Sequence, residues 1–240
     1  MLIEVVSGAL LLALVYLAVR VAVLSGVAGT GMVKERYLLV VAHPDDECMF
    51  FGPFLSKATE HRKSVKIGEV EPVVVVMCTS GGRGGDRCVR KREAKKAVEE
   101  IGAAVVFLEE EDGELDAKKS TVEKIKKIHR ETGRTRIVTF DAGGVSGHPD
   151  HKACFEISRK VCREVGDGYL YALSSISLVE KYWVGPLGAK GEVVLKNSIR
   201  QSVACRRQMG QYKSQLLWFR YAYIAFSTYM DVNVFRKVMG

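Results

Sequence analysis

Short apolar runs alternate with amphipathic stretches along most of this 240-residue chain. Four runs rich in aliphatic residues predict strands at residues 37–42, 73–80, 103–109 and 136–142. Continuous apolar runs of this kind are typical of parallel strands, because helices cover both faces of such a sheet.

Helical periodicity fills the intervals between these runs. The first helix is defined by apolar residues at i, i+3, i+4 and i+7, which are Ala94, Ala97, Val98 and Ile101. Gly102 follows and is expected to end this helix. The same spacing predicts helices at residues 122–128 and 154–165, and a helix from Asp46 that is interrupted at residues 52–53. Alternating strands and helices predict an α/β fold with a doubly wound, mostly parallel sheet.

An apolar segment at residues 5–27, with one arginine as its only charge, precedes the alternating pattern. A membrane span requires about 20 such residues. Lys34 and Arg36 follow the segment, whereas a cleaved signal peptide carries positive charge in front of its apolar run. We therefore expect a transmembrane anchor and linker at residues 1–33 and one cytosolic domain at residues 34–240. A buried core helix and a cleaved signal are the alternatives.

The net charge indicates which class of partner to expect, and the cysteine content indicates the redox compartment. The net charge of +8 favours an anionic partner, such as nucleic acid, an anionic membrane surface or a phosphorylated substrate. No nucleic-acid recognition module is apparent in the sequence, so no nucleic-acid partner is expected, and no protein partner is predicted. The six cysteines lack CxxC spacing and are expected to be free thiols in a reducing compartment.

Two polar clusters of similar sequence follow the first and fourth predicted strands. They read HPDDE at residues 43–47 and GHPDH at residues 147–151. Either cluster alone is most often a turn with an aspartate that caps a helix. In a doubly wound sheet of order 3-2-1-4, however, the first and fourth strands are neighbours, and ligands bind beyond their carboxyl ends. The two clusters are therefore expected to meet in one site.

The residue types in these clusters suit a catalytic metal centre. Zinc takes imidazole and carboxylate ligands, and a catalytic site uses three of them and leaves a position for water. The candidate ligands are His43, Asp46 and His151. Asp45 could then act as general base, His148 could stabilise an oxyanion or protonate a leaving amine, and Asp150 could orient His148. Other divalent metals stay open beside zinc, because several of them accept these ligands.

The sequence also predicts local geometry around the second cluster. Pro149 is favoured at the first position of a helix, which would make His148 the N-cap and place His151 in the first turn. Three glycines before the cluster allow an unusual backbone path, and they are Gly143, Gly144 and Gly147.

A glycine-rich loop at residues 79–87 lacks both the lysine of a P-loop and the spaced glycines of a Rossmann motif. It could therefore be an anion site or a flexible turn. Nearby arginines could bind a phosphate or form a solvated face, and they are Arg83, Arg87, Arg90 and Arg92.

The two clusters together resemble the metal-dependent de-N-acetylases of the LmbE-like superfamily. More specifically, TFDAGGVSGHPDH at residues 139–151, RKREA at residues 90–94 and YKSQLLWFRYAYIAFSTYM at residues 212–230 resemble the N-acetylglucosaminyl-phosphatidylinositol de-N-acetylases. The similarity extends from about residue 37 to residue 230. One departure is Tyr212-Lys213, where histidine and arginine are common in the family.

This resemblance implies a Rossmann-like fold and zinc-dependent hydrolysis of the acetamide of GlcNAc-phosphatidylinositol. That reaction is the second step of GPI-anchor biosynthesis, on the cytosolic face of the endoplasmic reticulum membrane. The resemblance also implies the metal ligands and the base named above. It adds a role for His148 at the tetrahedral intermediate and a substrate contact for Arg90.

Two other functions stay open. One is deacetylation of a different, soluble N-acetylglucosaminide, and the other is anionic-lipid binding by a membrane-tethered protein with a dead site. The aromatic segment at residues 216–230 could be either a core helix or an interfacial surface that contacts lipid.

Overall fold

The four predicted strands form within two residues of their expected ends. The computed structural model describes residues 35–60, 72–134, 136–166, 168–186 and 191–239, together with Leu11, Val15, Tyr16 and Ala18. The predicted strands are β1 (Tyr37–Val41), β2 (Val73–Thr79), β3 (Ala104–Glu110) and β4 (Arg136–Phe140). Three strands that the sequence pattern did not predict follow them: β5 (Tyr169–Leu173), β6 (Val193–Lys196) and β7 (Val232–Met239).

Over the described residues these seven strands form one sheet in the order β3-β2-β1-β4-β5-β7-β6. β1 lies between β2 and β4 and is parallel to both, which confirms the predicted 3-2-1-4 order. β5 continues the parallel sheet beside β4. β7 then pairs antiparallel with β5 and β6, so that the sheet is mixed at this edge.

Five helices form where the periodicity predicts them, and the last two helices of the chain lie where it makes no prediction. They are α1 (Asp46–Phe50), α2 (Gly52–Ala58), α3 (Arg87–Ile101), α4 (Lys119–Thr132), α5 (Pro149–Val165), α6 (Ile199–Met209) and α7 (Trp218–Phe226). α1 and α2 are separated at Phe51, one residue before the predicted interruption at residues 52–53, and Gly102 ends α3 as expected, with a left-handed φ of 89°. A single turn of π-helix, Glu180–Val184, lies near α7.

The core supplies a rigid platform for the carboxyl ends of β1 and β4. Every residue of β1 and β2 is buried. Phe51 and Phe140 pack edge to face with their ring centroids 5.1 Å apart, directly beneath the loops that follow these strands. Close packing of this kind limits how far those loops can move.

The proposed anchor at residues 1–33 lies outside the described residues, apart from four helical positions. Among the residues that the structure describes, no helix combines the length and the apolar character needed to cross a membrane. The structure excludes one of the two alternatives for the helix in the aromatic C-terminal segment, and contact with lipid stays a prediction. α7 buries only Tyr223, and Trp218 is 83% exposed, so α7 is not a core helix.

Candidate active site

The two polar clusters meet at the carboxyl ends of β1 and β4. The rings of His43 and His151 lie 5.7 Å apart, and those of His43 and His148 lie 4.9 Å apart. Asp46 contacts both of the predicted histidine ligands, at 3.4 Å from His43 Nδ1 and 3.2 Å from His151 Nε2. The predicted convergence of the clusters is therefore confirmed.

His151 is held in the orientation that a metal-binding histidine usually takes. Its Nδ1 lies 3.1 Å from the carbonyl oxygen of Gly144, which can only accept a hydrogen bond. Nδ1 therefore carries a proton, and Nε2 faces Asp46. The ring stacks on Phe140 at a centroid distance of 4.0 Å. The unusual backbone path shows in Gly144, at φ 64°, and in Val145, which has φ 55° and is strained as a β-branched residue.

His43 is surrounded by carboxylates. Its Nε2 lies 3.0 Å from Asp150 and 3.1 Å from Asp112, while Asp46 lies on the Nδ1 side. Burial works against the charged imidazole, but the bonds to Asp112, Asp150 and Asp46 outweigh it and raise the pKa of His43 to about 12. The centre of this cluster therefore stabilises positive charge, whether a proton or a cation supplies it.

The available donor atoms fit a divalent metal. Ligand nitrogens of His43, His148 and His151 lie within 4.8 Å of one another, and so do ligand atoms of His43, Asp112 and Asp150. Imidazole nitrogen and carboxylate oxygen are the donors that zinc accepts alongside thiolate. The five buried cysteines lie in the core, and the sixth, Cys88, is exposed on α3.

Asp45 has an unusual backbone and a charged environment. It adopts φ 103° in front of α1, a conformation that non-glycine residues rarely adopt. Its Oδ2 lies 3.1 Å from Arg220 and 3.7 Å from Arg90, but accepts no hydrogen bond from any described residue. Burial raises the pKa of Asp45 to about 6, and Arg220 limits that rise. A carboxylate with an unused acceptor and a raised pKa suits a general base.

His148 caps α5 as predicted, with Pro149 in the first helical position. Its Nδ1 accepts a hydrogen bond from the backbone N–H of Asp150 at 3.2 Å, so Nε2 carries the proton of the neutral ring. Burial and the neighbouring His151 and His43 lower the pKa of His148. His148 therefore offers a neutral N–H donor in the site.

The carboxylate of Asp150 makes contacts other than the predicted one with His148. Its carboxylate contacts His43 and accepts backbone N–H groups of Gly113 and Leu115, at 2.7 and 3.3 Å. The sequence had suggested that this carboxylate orients His148. In the structure this carboxylate contacts His43 and the loop after β3, because Asp150 lies on the buried side of α5.

Arg90 lies behind the first cluster. Its guanidinium donates to the carbonyl oxygens of Pro44 and Gly81, at 2.6 and 2.8 Å, and is almost fully buried. Its predicted contact with substrate stays a prediction. Arg83 and Arg87 pair at the surface with Glu114 and Glu111.

Tyr212, at the departure from the family pattern, is fully buried. Its hydroxyl donates to Glu47, the last residue of the first cluster. Burial raises the pKa of Glu47 to about 7. Tyr212 thus joins the C-terminal segment to the first cluster within the core.

Sequence reasoning missed three residues that shape the site. Asp112 follows β3 at the same edge of the sheet, and the acidic run before it was the available signal. Arg220 is the only cation in the aromatic helix α7. Asp141 accepts the N–H groups of Gly143 and Gly144 and the hydroxyl of Ser175, and so forms the turn before His148.

Fold and site together define a doubly wound α/β protein with a histidine–aspartate centre at the switch point of its sheet. The chain belongs to the GlcNAc-PI de-N-acetylase family, whose model matches residues 38–162 and includes both clusters.

Individual relatives agree with this assignment. A probable N-acetylglucosaminyl-phosphatidylinositol de-N-acetylase of Schizosaccharomyces pombe is 30% identical over 224 residues, covering 85% of this chain and 87% of the relative. The N-acetylglucosaminyl-phosphatidylinositol de-N-acetylase of Bos taurus is 30% identical over 227 residues, covering 87% and 85%. The N,N'-diacetylchitobiose deacetylase of Pyrococcus horikoshii shares the fold, with a TM-score of 0.64 at 14% identity, over 92% of this chain and 90% of that one.

Proposed function

We propose that this protein hydrolyses the N-acetyl group of GlcNAc-phosphatidylinositol and releases GlcN-phosphatidylinositol and acetate. In the cell this is the second step of GPI-anchor biosynthesis. The observation that carries the proposal is the convergence of His43, Asp46 and His151 beside Asp45, within the region that matches the family model. The named activity of the relatives supports the glycolipid substrate.

His43, Asp46 and His151 would hold a divalent cation, with zinc as the first candidate. Zinc bound there would lower the pKa of a water molecule and polarise the acetyl carbonyl. The carboxylates of Asp112 and Asp150 beside His43 add negative charge that favours a cation. These two aspartates would also keep His43 in a fixed orientation.

Asp45 is the proposed general base. Its buried Oδ2 accepts the proton of the attacking water as the oxygen bonds to the acetyl carbon. Arg220 and Arg90 lie beside the Asp45 carboxylate and stabilise its negative charge. When the C–N bond breaks, this proton can pass to the sugar nitrogen, so that a free amine and acetic acid leave, and the acid ionises to acetate in solution.

His148 is the proposed hydrogen-bond donor to the developing oxyanion. The cap contact to Asp150 N–H assigns the proton of the neutral ring to Nε2. A neutral donor needs no prior protonation, which agrees with the lowered pKa of His148. A fixed donor of this kind stabilises the transition state more than the substrate.

We also propose that residues 1–33 anchor the protein in the endoplasmic reticulum membrane, with residues 34–240 in the cytosol. The apolar segment at residues 5–27 supports the anchor, and Lys34 and Arg36 support the orientation.

The decisive experiment measures acetate release by the purified full chain. GlcNAc-phosphatidylinositol in mixed micelles and soluble GlcNAc-inositol are offered side by side, with metal content determined on the same sample. We expect bound zinc, a preference for the lipid, loss of activity on chelation and recovery with zinc. Equal activity on both substrates would favour a soluble N-acetylglucosaminide. Absence of both metal and activity would favour a lipid-binding protein with a dead site.

A further inference from the structure

One surface of the protein is apolar and aromatic although it is exposed. It consists of Leu178 and Trp183, next to or within the π-helical turn, and of Leu217, Trp218, Phe219 and Tyr221, at the start of α7. We call it the aromatic surface. Trp218 is 83% exposed, Leu178 73% and Trp183 63%. Exposed apolar patches that are this aromatic mark places where a protein meets a partner or a membrane.

The helix that carries this surface is fastened to the core on its other side. Tyr223 is buried in α7, and its hydroxyl donates to the carbonyl oxygen of Met49 at 2.9 Å. Arg220 reaches Asp45 from the same helix. The outward direction of Trp218 and Phe219 is therefore fixed by contacts in the core.

Cations lie on the α7 side of the aromatic surface, while Glu180 in the π-helical turn accepts a hydrogen bond from Ser177. Residues 211–230 contain Lys213 and Arg220 and no aspartate or glutamate. Lys181 lies 4.8 Å from the ring centroid of Tyr223, between the two parts of the surface. Tryptophan and tyrosine with nearby cations are typical of the membrane–water interface, where the headgroups are anionic.

One described residue of the N-terminal apolar segment, Tyr16, contacts the aromatic surface. The hydroxyl of Tyr16 donates to the carbonyl oxygen of Tyr182 at 2.6 Å. The Tyr16 ring also packs edge to face on Trp183 and Phe226, at 5.6 and 5.5 Å. A residue of the most apolar part of the chain thus lies against this surface, which favours a bilayer over a second copy of the chain.

We infer that the aromatic surface docks the catalytic domain on a phospholipid bilayer. Trp218 and Phe219, the first two residues of α7, enter the interface, while Arg220, the next residue, contacts Asp45 in the candidate active site. Docking therefore holds the site close to the headgroup layer. The consequence for a glycolipid substrate rests on the proposed function, whereas docking itself does not.

The tryptophans provide a direct test, because both tryptophans of the chain, Trp183 and Trp218, belong to the aromatic surface. The full chain is reconstituted in vesicles of phosphatidylcholine and phosphatidylinositol, with and without brominated acyl chains. We expect brominated lipid to remove more than about half of the tryptophan emission, because interfacial tryptophans lie at the headgroup level. Trp183→Phe and Trp218→Phe then assign the loss to each side chain.

Two results would overturn the docking surface. In one, emission from membrane-bound protein is unaffected by brominated lipid but quenched by aqueous iodide, so the N-terminal segment alone holds the protein. In the other, shielding depends on protein concentration and not on lipid, which would indicate self-association.

A kinetic test uses a double variant, Leu217→Ser with Trp218→Ser, and Val238→Ser as matched control. Val238 is exposed on β7 at the amino ends of the parallel strands, opposite the site. We expect the KM for GlcNAc-phosphatidylinositol in vesicles to rise about tenfold or more in the double variant, because two large apolar side chains are lost from the interface. Turnover of soluble GlcNAc-inositol and the control should be unchanged.

Equal losses on both substrates, or no loss on either, would contradict docking. A wild-type protein that is inactive on both substrates would instead reject the proposed function. In that case the bromolipid measurement still decides the docking surface.

Discussion

The two His-Pro-Asp clusters share three consecutive residues but fold differently. In the first, Asp45 has a left-handed backbone and the short helix α1 starts immediately after it. In the second, His148 has an extended backbone, caps a 17-residue helix and is followed by Pro149 at the first helical position. The difference arises because the first cluster lies in the buried loop of a central strand, while the second begins a long amphipathic helix.

The aspartates of the two clusters, Asp45 and Asp150, differ in the direction of their pKa shifts. Burial raises the pKa of Asp45 to about 6, since its arginine partners only partly offset the loss of water. Burial also opposes ionisation of Asp150, but His43 and the N–H of Gly113 outweigh it and lower the pKa of Asp150. The same tripeptide thus supplies a candidate base in one loop and, in the other, a carboxylate whose lowered pKa favours the ionised form.

The largest expected effect comes from Asp45→Asn. Asparagine tolerates the left-handed backbone, so the fold should persist, but the amide cannot accept the proton of water. We expect kcat/KM to fall by about 10² to 10⁴, with metal content unchanged. Acetate release and metal analysis check both parts. Asp116→Asn, an exposed aspartate, is the control. Near-normal activity of Asp45→Asn would remove Asp45 from the chemistry.

Asp150→Asn tests the other member of the comparison. The change removes the negative charge 3.0 Å from His43 Nε2. We expect metal affinity to fall by about 10- to 100-fold and activity to return when the metal concentration is raised. Metal titration with activity as the readout measures this. A loss of kcat that excess metal does not restore would favour the role predicted from the sequence, in which Asp150 orients His148.

Much of the fold could be predicted because the central strands are uniform. β1 and β2 are buried throughout and consist largely of leucine and valine, so their pattern is unambiguous. β7, by contrast, contains Asn233, Arg236 and Lys237 and is exposed in its second half. Its pairing with β5 and β6 joins distant parts of the chain, which local periodicity cannot reveal.

The candidate site also combines residues that a local sequence pattern predicts with residues that tertiary packing brings in. The convergence of His43 and His151 could be predicted, because the strand order makes β1 and β4 neighbours. Asp112 and Arg220 could not, because each reaches the site from an element whose placement depends on tertiary packing. The actual partner of Asp150 was missed for the same reason.

A smaller effect is expected from Arg220→Gln, which removes the cation closest to the Asp45 carboxylate. Arg220 lowers the pKa of Asp45, so its removal keeps this carboxyl protonated, and inactive as a base, up to a higher pH. We expect the acid limb of the kcat/KM profile to move to higher pH, with a several-fold loss of activity near neutrality. A lower plateau with an unmoved acid limb would indicate a purely structural role.

The smallest effect concerns the opposite ends of the two strands that carry the clusters. There Arg136 of β4, which is paired in register with Tyr37 of β1, bonds to Glu35 at 2.8 Å. The bond from Arg136 lowers the pKa of Glu35. Because the pair is partly exposed, we expect Glu35→Gln to cost less than about 1 kcal/mol of unfolding free energy at pH 7, without loss of activity.

The pH dependence of that cost follows from the direction of the shift. A carboxyl group whose pKa is lowered by folding contributes its stability above its unfolded pKa and loses it as the pH falls through the folded value. The difference in unfolding free energy between wild type and Glu35→Gln should therefore be constant from pH 7 to about 5 and shrink below about pH 4. Urea unfolding of both proteins at each pH measures it. Glu114→Gln, whose pair with Arg83 is more exposed, should show a smaller difference throughout. A Glu35→Gln difference that grows on acidification would mean that the carboxylate is not stabilised by Arg136.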